Sequence, residues 1–182
     1  MDYKKYFVHY TDSISELLKN VDINLINDSV NLISNTRKNK NKFYIVGNGG
    51  SSSIASHVSV DFAKVAKVNC STFNNANLIT CFANDYKYEN WVVEAIKAYS
   101  IEQDLFILIS SSGTSKNIVN AAEYCKQKKM NLITLSGFKK NNPLSQSGNI
   151  NFHVESEDYN FIEMTHHIIL VSIVDIFAKK IF

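Results

Sequence analysis

The apolar positions along this chain repeat with a helical period at first and then change character. From Met1 to about Lys38, Ile14, Leu17, Leu18, Val21, Ile23, Leu25, Ile26, Val30 and Ile33 recur mostly three or four residues apart, the spacing of one long amphipathic helix. A polar, basic connection, Thr36 to Lys42, follows. Continuous apolar runs then appear, Phe43–Val46, Val68–Phe73, Leu105–Ile109, Asn131–Leu135 and Ile150–Val154, each with the length of a buried strand. Helical patterns separate most of them: one after the first run, one over Glu89–Ser100, one over Lys116–Lys129 and a last one over Tyr159–Lys180. Asn74–Asn77 reads as a turn before a short apolar stretch, Leu78–Ala83. Strands alternating with helices predict a parallel sheet covered on both faces. The expected fold is α/β, a flavodoxin-like three-layer αβα domain spanning residues 1–182, with a helical arm over 1–38 and an α/β core over 42–182.

Two of the strand ends carry the chemistry. The first run breaks at Gly47-Asn48-Gly49-Gly50 and continues as Ser51-Ser52-Ser53 into a helix. The third run feeds Ser110-Ser111-Ser112-Gly113-Thr114-Ser115 and then another helix. Glycines let a ligand approach the backbone. The free N–H groups and positive dipole end of a helix N-terminus suit an anion. In a parallel sheet both turns open on the same edge, where ligands bind. Neither turn has the Lys of a G-x-x-x-x-G-K-[ST] loop or the G-x-G-x-x-G order of a dinucleotide fingerprint, so a phosphorylated small molecule is expected.

Composition narrows the partners. The net charge is only +2, which argues against a dedicated nucleic-acid binder. Arg37 is the one arginine, so lysines, hydroxyls and backbone must carry anion recognition. Three cysteines without close spacing, Cys70, Cys81 and Cys125, give no disulfide framework and suit a reducing compartment. The first residues lack the apolar core of a secretion signal, and no apolar run approaches the ~20 residues of a membrane span. A cytoplasmic protein with no membrane partner is the expectation.

The order and spacing of Gly47-Asn48-Gly49-Gly50-Ser51, His57, Asn84-Asp85, Ser110–Ser115 and Ile162-Glu163-x-x-His166 resemble sugar isomerase (SIS) domains, and within them the phosphoheptose isomerases. The resemblance runs over most of the chain. It implies an aldose–ketose isomerase that converts sedoheptulose 7-phosphate to an aldoheptose 7-phosphate for lipopolysaccharide or capsule heptose. It also implies a homotetramer with active sites at subunit interfaces. The phosphate would lie on Ser110, Ser111, Ser112 and Ser115. Asn48, Gly49, Gly50 and Ser51 would face the sugar, with Asn84 and Asp85 near it.

In that family a His and a Glu one helical turn apart bind zinc with a Gln and a His from the last helix; the Glu is taken as the base and the last His as the acid. Here these positions hold His57, Asp61, Glu163 and Val171. An aspartate just before the Gln maps to Asn160, with Asp158 nearby. The resemblance thus gives His57, Asp61 and Glu163 as candidate catalytic and zinc-binding residues, with His167, one turn after Glu163, as a further candidate ligand. His9 and His153 carry no pattern, and His166 matches a family His whose role, structural or functional, stays open. Val171, which cannot move a proton, keeps two alternatives open: a non-catalytic SIS protein that binds a phosphosugar or a replication initiator, and an isomerase of a different sugar phosphate.

Overall fold

In the computed structural model, which describes residues 2–179, five strands form one parallel sheet in the order β2-β1-β3-β4-β5. They are β1 (Phe43–Gly47), β2 (Cys70–Thr72), β3 (Leu105–Ser110), β4 (Asn131–Ser136) and β5 (Ile150–His153). Every residue of β1 and β3 is buried, as continuous apolar strands at the centre of a doubly covered sheet should be. The sheet is flanked by α1 (Tyr3–Lys19), α2 (Ile23–Lys38), α3 (Gly49–Lys64), α4 (Ala76–Tyr86), α5 (Trp91–Tyr99), α6 (Lys116–Gln127) and α7 (Tyr159–Ala178). One core packs α2, α3 and α7 on one face, with Ile33, Phe62, Leu170 and Ile173 at its centre. The other packs α5 and α6 on the opposite face, with Trp91, Ile96 and Ile118. Each such side chain contributes roughly 1.5–3 kcal/mol by leaving water.

The expected α/β architecture is present, and the expected strands recur with ends moved by one or two residues. Two helices differ from expectation. The N-terminal pattern is not one helix: Asn20 ends α1 and the Asp22 side chain caps α2 by accepting from Asn24 N–H at 2.9 Å. An Asp at N-cap satisfies a free donor and fixes the break, although the apolar spacing runs through it. Only α1 behaves as an arm, burying none of its residues and leaning on α7 through Tyr10 and Phe161, whose rings meet edge-on at 4.9 Å. By contrast α2 buries Ile26, Val30 and Ile33. The expected turn at Asn74–Asn77 starts α4 instead, because Asn75 caps it by accepting from Leu78 N–H at 3.0 Å. Met1 and Lys180, the outer ends of the first and last expected helices, lie outside the described residues.

Contrary to expectation, one helix, α7, is long and apolar enough by length and composition to cross a membrane. Its buried side chains, among them Ile162, Ile169, Leu170 and Val174, pack into the sheet-covering core, which accounts for its composition.

The strand order switches at β1: β2 lies on one side of it and β3 on the other, all parallel. This is the switch point at whose carboxyl edge ligands bind. Gly47 pairs with Ile109, so Asn48, which leaves the sheet, and Ser110, the last residue of β3, stand at the same level.

Candidate active site

The two turns enclose a cavity of about 240 Å³ lined by Asn48, Gly49, Gly50, Ser51, Ile109, Ser110, Ser111, Ser112, Ser115, Tyr159 and Glu163. Both helices that begin here start without a side-chain cap, α3 at Asn48 and α6 at Ser115. Four other helices, α1, α2, α4 and α7, are capped by Asp2, Asp22, Asn75 and Asp158; α5 shares the lack, its Asn90 being engaged by Asn120. First-turn N–H groups have no intrahelical partner, so α3 and α6 turn uncapped donors and positive dipole ends toward one space.

The second turn is shaped from outside. Gly113 takes φ +68°, and a Cβ there would overlap the Asn142 amide. Asn142, buried after β4, donates to Ser136 Oγ, Gly137 O and Lys139 O at 2.8–3.1 Å. Gly137 N–H donates to Ser111 O at 2.8 Å. Ser110 Oγ donates to Ser115 Oγ at 3.1 Å, and Ser112 Oγ pairs with Thr114 Oγ1 at 3.0 Å. The Ser111 hydroxyl is different: it is buried and has no hydrogen-bond partner. A buried polar atom without a partner is destabilising and calls for an explanation.

The first turn is held by a reciprocal amide pair. Asn48 Nδ2 donates to Asn117 Oδ1, and Asn117 Nδ2 donates to Asn48 Oδ1, both at 2.9 Å. Tyr88 Oη adds a third bond to Asn48 Oδ1 at 3.2 Å. The Asn48 side chain, expected at the sugar, is thereby tied to α6. Asn117 and Tyr88 carried no sequence signal, because the pairing exists only once α6 lies beside the first turn.

Glu163 reaches the cavity from α7. A Cβ at Gly50 would overlap its carboxylate, so glycine there lets the acid stand over the start of α3. Burial pushes the Glu163 carboxyl above its ordinary range, which strengthens it as a base.

The other expected residues lie elsewhere. His57, Asp61 and His167 form a chain on the neighbouring face of α3 and α7: His57 Nδ1 meets His167 Nε2 at 2.8 Å, and His57 Nε2 meets Asp61 Oδ2 at 3.1 Å. Burial, and then the neighbouring His57, push His167 below the ordinary imidazole range. None of the three lines the serine cavity. Asn84 and Asp85, the former donating to the latter at 2.9 Å, sit exposed at the end of α4 and do not line it either. Val171 packs against the core. His166 is fully buried with Nε2 donating to Ser136 O at 3.2 Å, and burial lowers it to about 4.

The side chains of His57, Asp61 and His167 are of the types zinc takes. His57, however, directs its two ring nitrogens to two different partners on separate edges of the ring, so the donors share no common point. Among the described residues no three His, Cys, Asp or Glu side chains are placed to hold a metal ion. The arrangement does not fit the ion, and no chemical step is assigned to it.

Comparison with known proteins bears on this geometry. The profile of the SIS domain family matches residues 9–137. The chain is 37% identical to phosphoheptose isomerase 2 of Campylobacter jejuni over 71% of its own length and 69% of that protein. It is 32% identical to phosphoheptose isomerase of Helicobacter pylori over 97% and 96% of the two chains. Its fold matches the solved phosphoheptose isomerase of Neisseria gonorrhoeae with a TM-score of 0.88 at 18% identity, covering 98% of this chain and 100% of that one.

Proposed function

Because the chain belongs to the SIS domain family and to its phosphoheptose isomerase branch, we infer that it is an aldose–ketose isomerase interconverting sedoheptulose 7-phosphate and an aldoheptose 7-phosphate. The observation that carries the reading to this cavity is the buried, partnerless Ser111 hydroxyl at the uncapped start of α6. A phosphate there accepts from Ser111 and from the free N–H groups of α6. Ser110, Ser112 and Ser115 complete the cradle, which needs no arginine.

With the phosphate held at the second turn, the sugar runs toward Glu163 and the first turn. The Glu163 carboxylate takes a proton from C1 of the ketose. The C–H electrons form a C1–C2 double bond, and the C2 carbonyl becomes an enediolate oxygen. Ser51 and the uncapped N–H groups of α3 stabilise that charge. The proton returns from Glu163 to C2 as the O1 proton passes to O2 and C1 becomes the aldehyde. The protonated and ionised forms of Glu163 alternate, so an acid raised by burial suits both halves. His57, Asp61 and His167 play a positioning part: they tie α3 to α7 and so fix Glu163 over Gly50.

We propose that the enzyme is cytoplasmic, with free cysteines at Cys70, Cys81 and Cys125, and works as a homotetramer with its sites near subunit interfaces. Exposed Tyr3, Tyr6 and Phe7 on α1 and Met164 and Ile168 on α7 support an apolar contact between copies. The test of function is turnover of sedoheptulose 7-phosphate by the purified chain beside Glu163→Gln. Turnover that Glu163→Gln abolishes is expected. Phosphosugar binding without turnover by the wild type would leave a binding protein and refute the isomerase.

A further inference from the structure

We propose that Tyr159, backed by Phe138, selects the length of the sugar chain; this rests on the isomerase reading above. That reading fixes both ends of the cavity, the phosphate at Ser111 and the reacting carbons at Glu163. Of the side chains lining the space, Tyr159 alone carries an aromatic ring. It lies one helical turn before Glu163 on α7 and therefore on the same face. The residue is 56% exposed and lines the cavity, so part of it is open to a ligand. The C–H groups of a polyol pack on an aromatic surface, and the carbons between phosphate and reacting end are the ones that pass this wall.

The wall is held in place from behind. The Phe138 ring stands 5.0 Å from the Tyr159 ring, tilted by 58°. Phe138 has φ +55°, a left-handed backbone that a bulky side chain rarely adopts. Its N–H donates to Ser156 O at 2.8 Å, and its carbonyl accepts from His153 Nε2 at 3.2 Å. The preceding Gly137 donates to Ser111 O at 2.8 Å. The ring behind Tyr159 is thus tied to the loop that holds the phosphate, and anchor and wall keep a fixed separation. A chain with too few carbons either reaches Glu163 or lies on Tyr159, not both.

The test compares kcat/KM for sedoheptulose 7-phosphate with that for five- and six-carbon ketose phosphates in wild type, Tyr159→Ala, Tyr159→Phe and Phe138→Ala. Where a shorter sugar is not turned over, its inhibition constant takes the place of kcat/KM. Tyr159→Ala is expected to lose about tenfold or more on the seven-carbon sugar and less than about threefold on the shorter ones, within the range one or two methylenes decide in a pocket. Tyr159→Phe keeps the preference, and Phe138→Ala shifts it in the same direction by less. Equal losses on all sugars, or an unchanged preference in Tyr159→Ala, would overturn the proposal while leaving the isomerase intact. A wild type inactive on every sugar would instead remove the functional reading, and this inference with it.

Discussion

The serine cavity and the His57–Asp61–His167 chain occupy neighbouring faces of the same helix pair, α3 and α7, and are built by opposite means. The cavity is made of backbone ends and short hydroxyls, and its donors are left unspent: two uncapped helix starts and a buried Ser111 hydroxyl without a partner. In the histidine chain each group is already satisfied by the next. Unspent, buried polarity is what a ligand can use, since satisfying it on binding removes a penalty carried by the free protein. Satisfied and partly exposed polarity has little left to give; the His57 and Asp61 side chains are 54% and 32% exposed. Charged residue types alone would rank the histidine chain first as the chemical centre, whereas the geometry ranks the cavity with Glu163 first.

The largest effect expected from this contrast is at Glu163. Replacing it with Gln keeps the shape over Gly50 and removes the base, so kcat should fall by ~10²–10⁴-fold with KM changed little, as steady-state kinetics would record. A retained kcat would return the base to Asp61.

His166 tests the inner face of α7. Its pKa is about 4 in the fold against 6.5 for an ordinary imidazole, so the folded state takes up its proton later than the unfolded state does. The stabilisation is complete above pH 6.5 and is lost as pH falls toward 4. About 2.5 pH units at 1.36 kcal/mol each give a loss of roughly 3 kcal/mol. Denaturant titrations from pH 7 to 4 should show this slope in the wild type and a shallower one in His166→Gln. Parallel slopes would mean that His166 is charged in the fold.

Ser111→Ala should separate binding from stability. Losing a hydrogen bond to a charged ligand costs about 1.5–3 kcal/mol, or roughly 10–100-fold in KM. Removing a partnerless buried hydroxyl should leave the melting temperature unchanged or higher. A lower melting temperature with normal KM would show that Ser111 serves the fold and not the phosphate.

The smallest effects belong to the histidine chain. Asp61→Asn should cost less than about tenfold in kcat, because a partly exposed His–carboxylate contact contributes about 0–1 kcal/mol. Treatment with a chelator should leave turnover in place. A large loss in either experiment, restored by zinc in the second, would move the chemistry onto that face.

The fold was readable where local pattern and burial agree. Phe43–Val46 and Leu105–Ile109 are apolar because they are covered on both faces, and the glycine and serine turns follow them directly. The break at Asn20–Asp22 was masked by apolar spacing that continues from Leu18 through Val21 to Leu25. The start of α4 was hidden because Asn75 serves equally well in a turn and as a cap. In the site, Ser110–Ser115 and Glu163 were legible as a serine-rich strand-to-helix turn and a family motif. Three other features depend on contacts between segments distant in sequence: the Asn48–Asn117 pair, Asn142 against Gly113, and Phe138 behind Tyr159. Tyr159 itself had a local signal, four residues before Glu163 on one helix, that residue-type reasoning passes over.

The division of labour within the cavity is tested most directly by kcat and KM for sedoheptulose 7-phosphate, measured side by side in Ser111→Ala and Glu163→Gln. A split is predicted, with Ser111→Ala raising KM at nearly constant kcat and Glu163→Gln lowering kcat at nearly constant KM. Full turnover in Glu163→Gln, or the same loss of kcat in both variants, would contradict it.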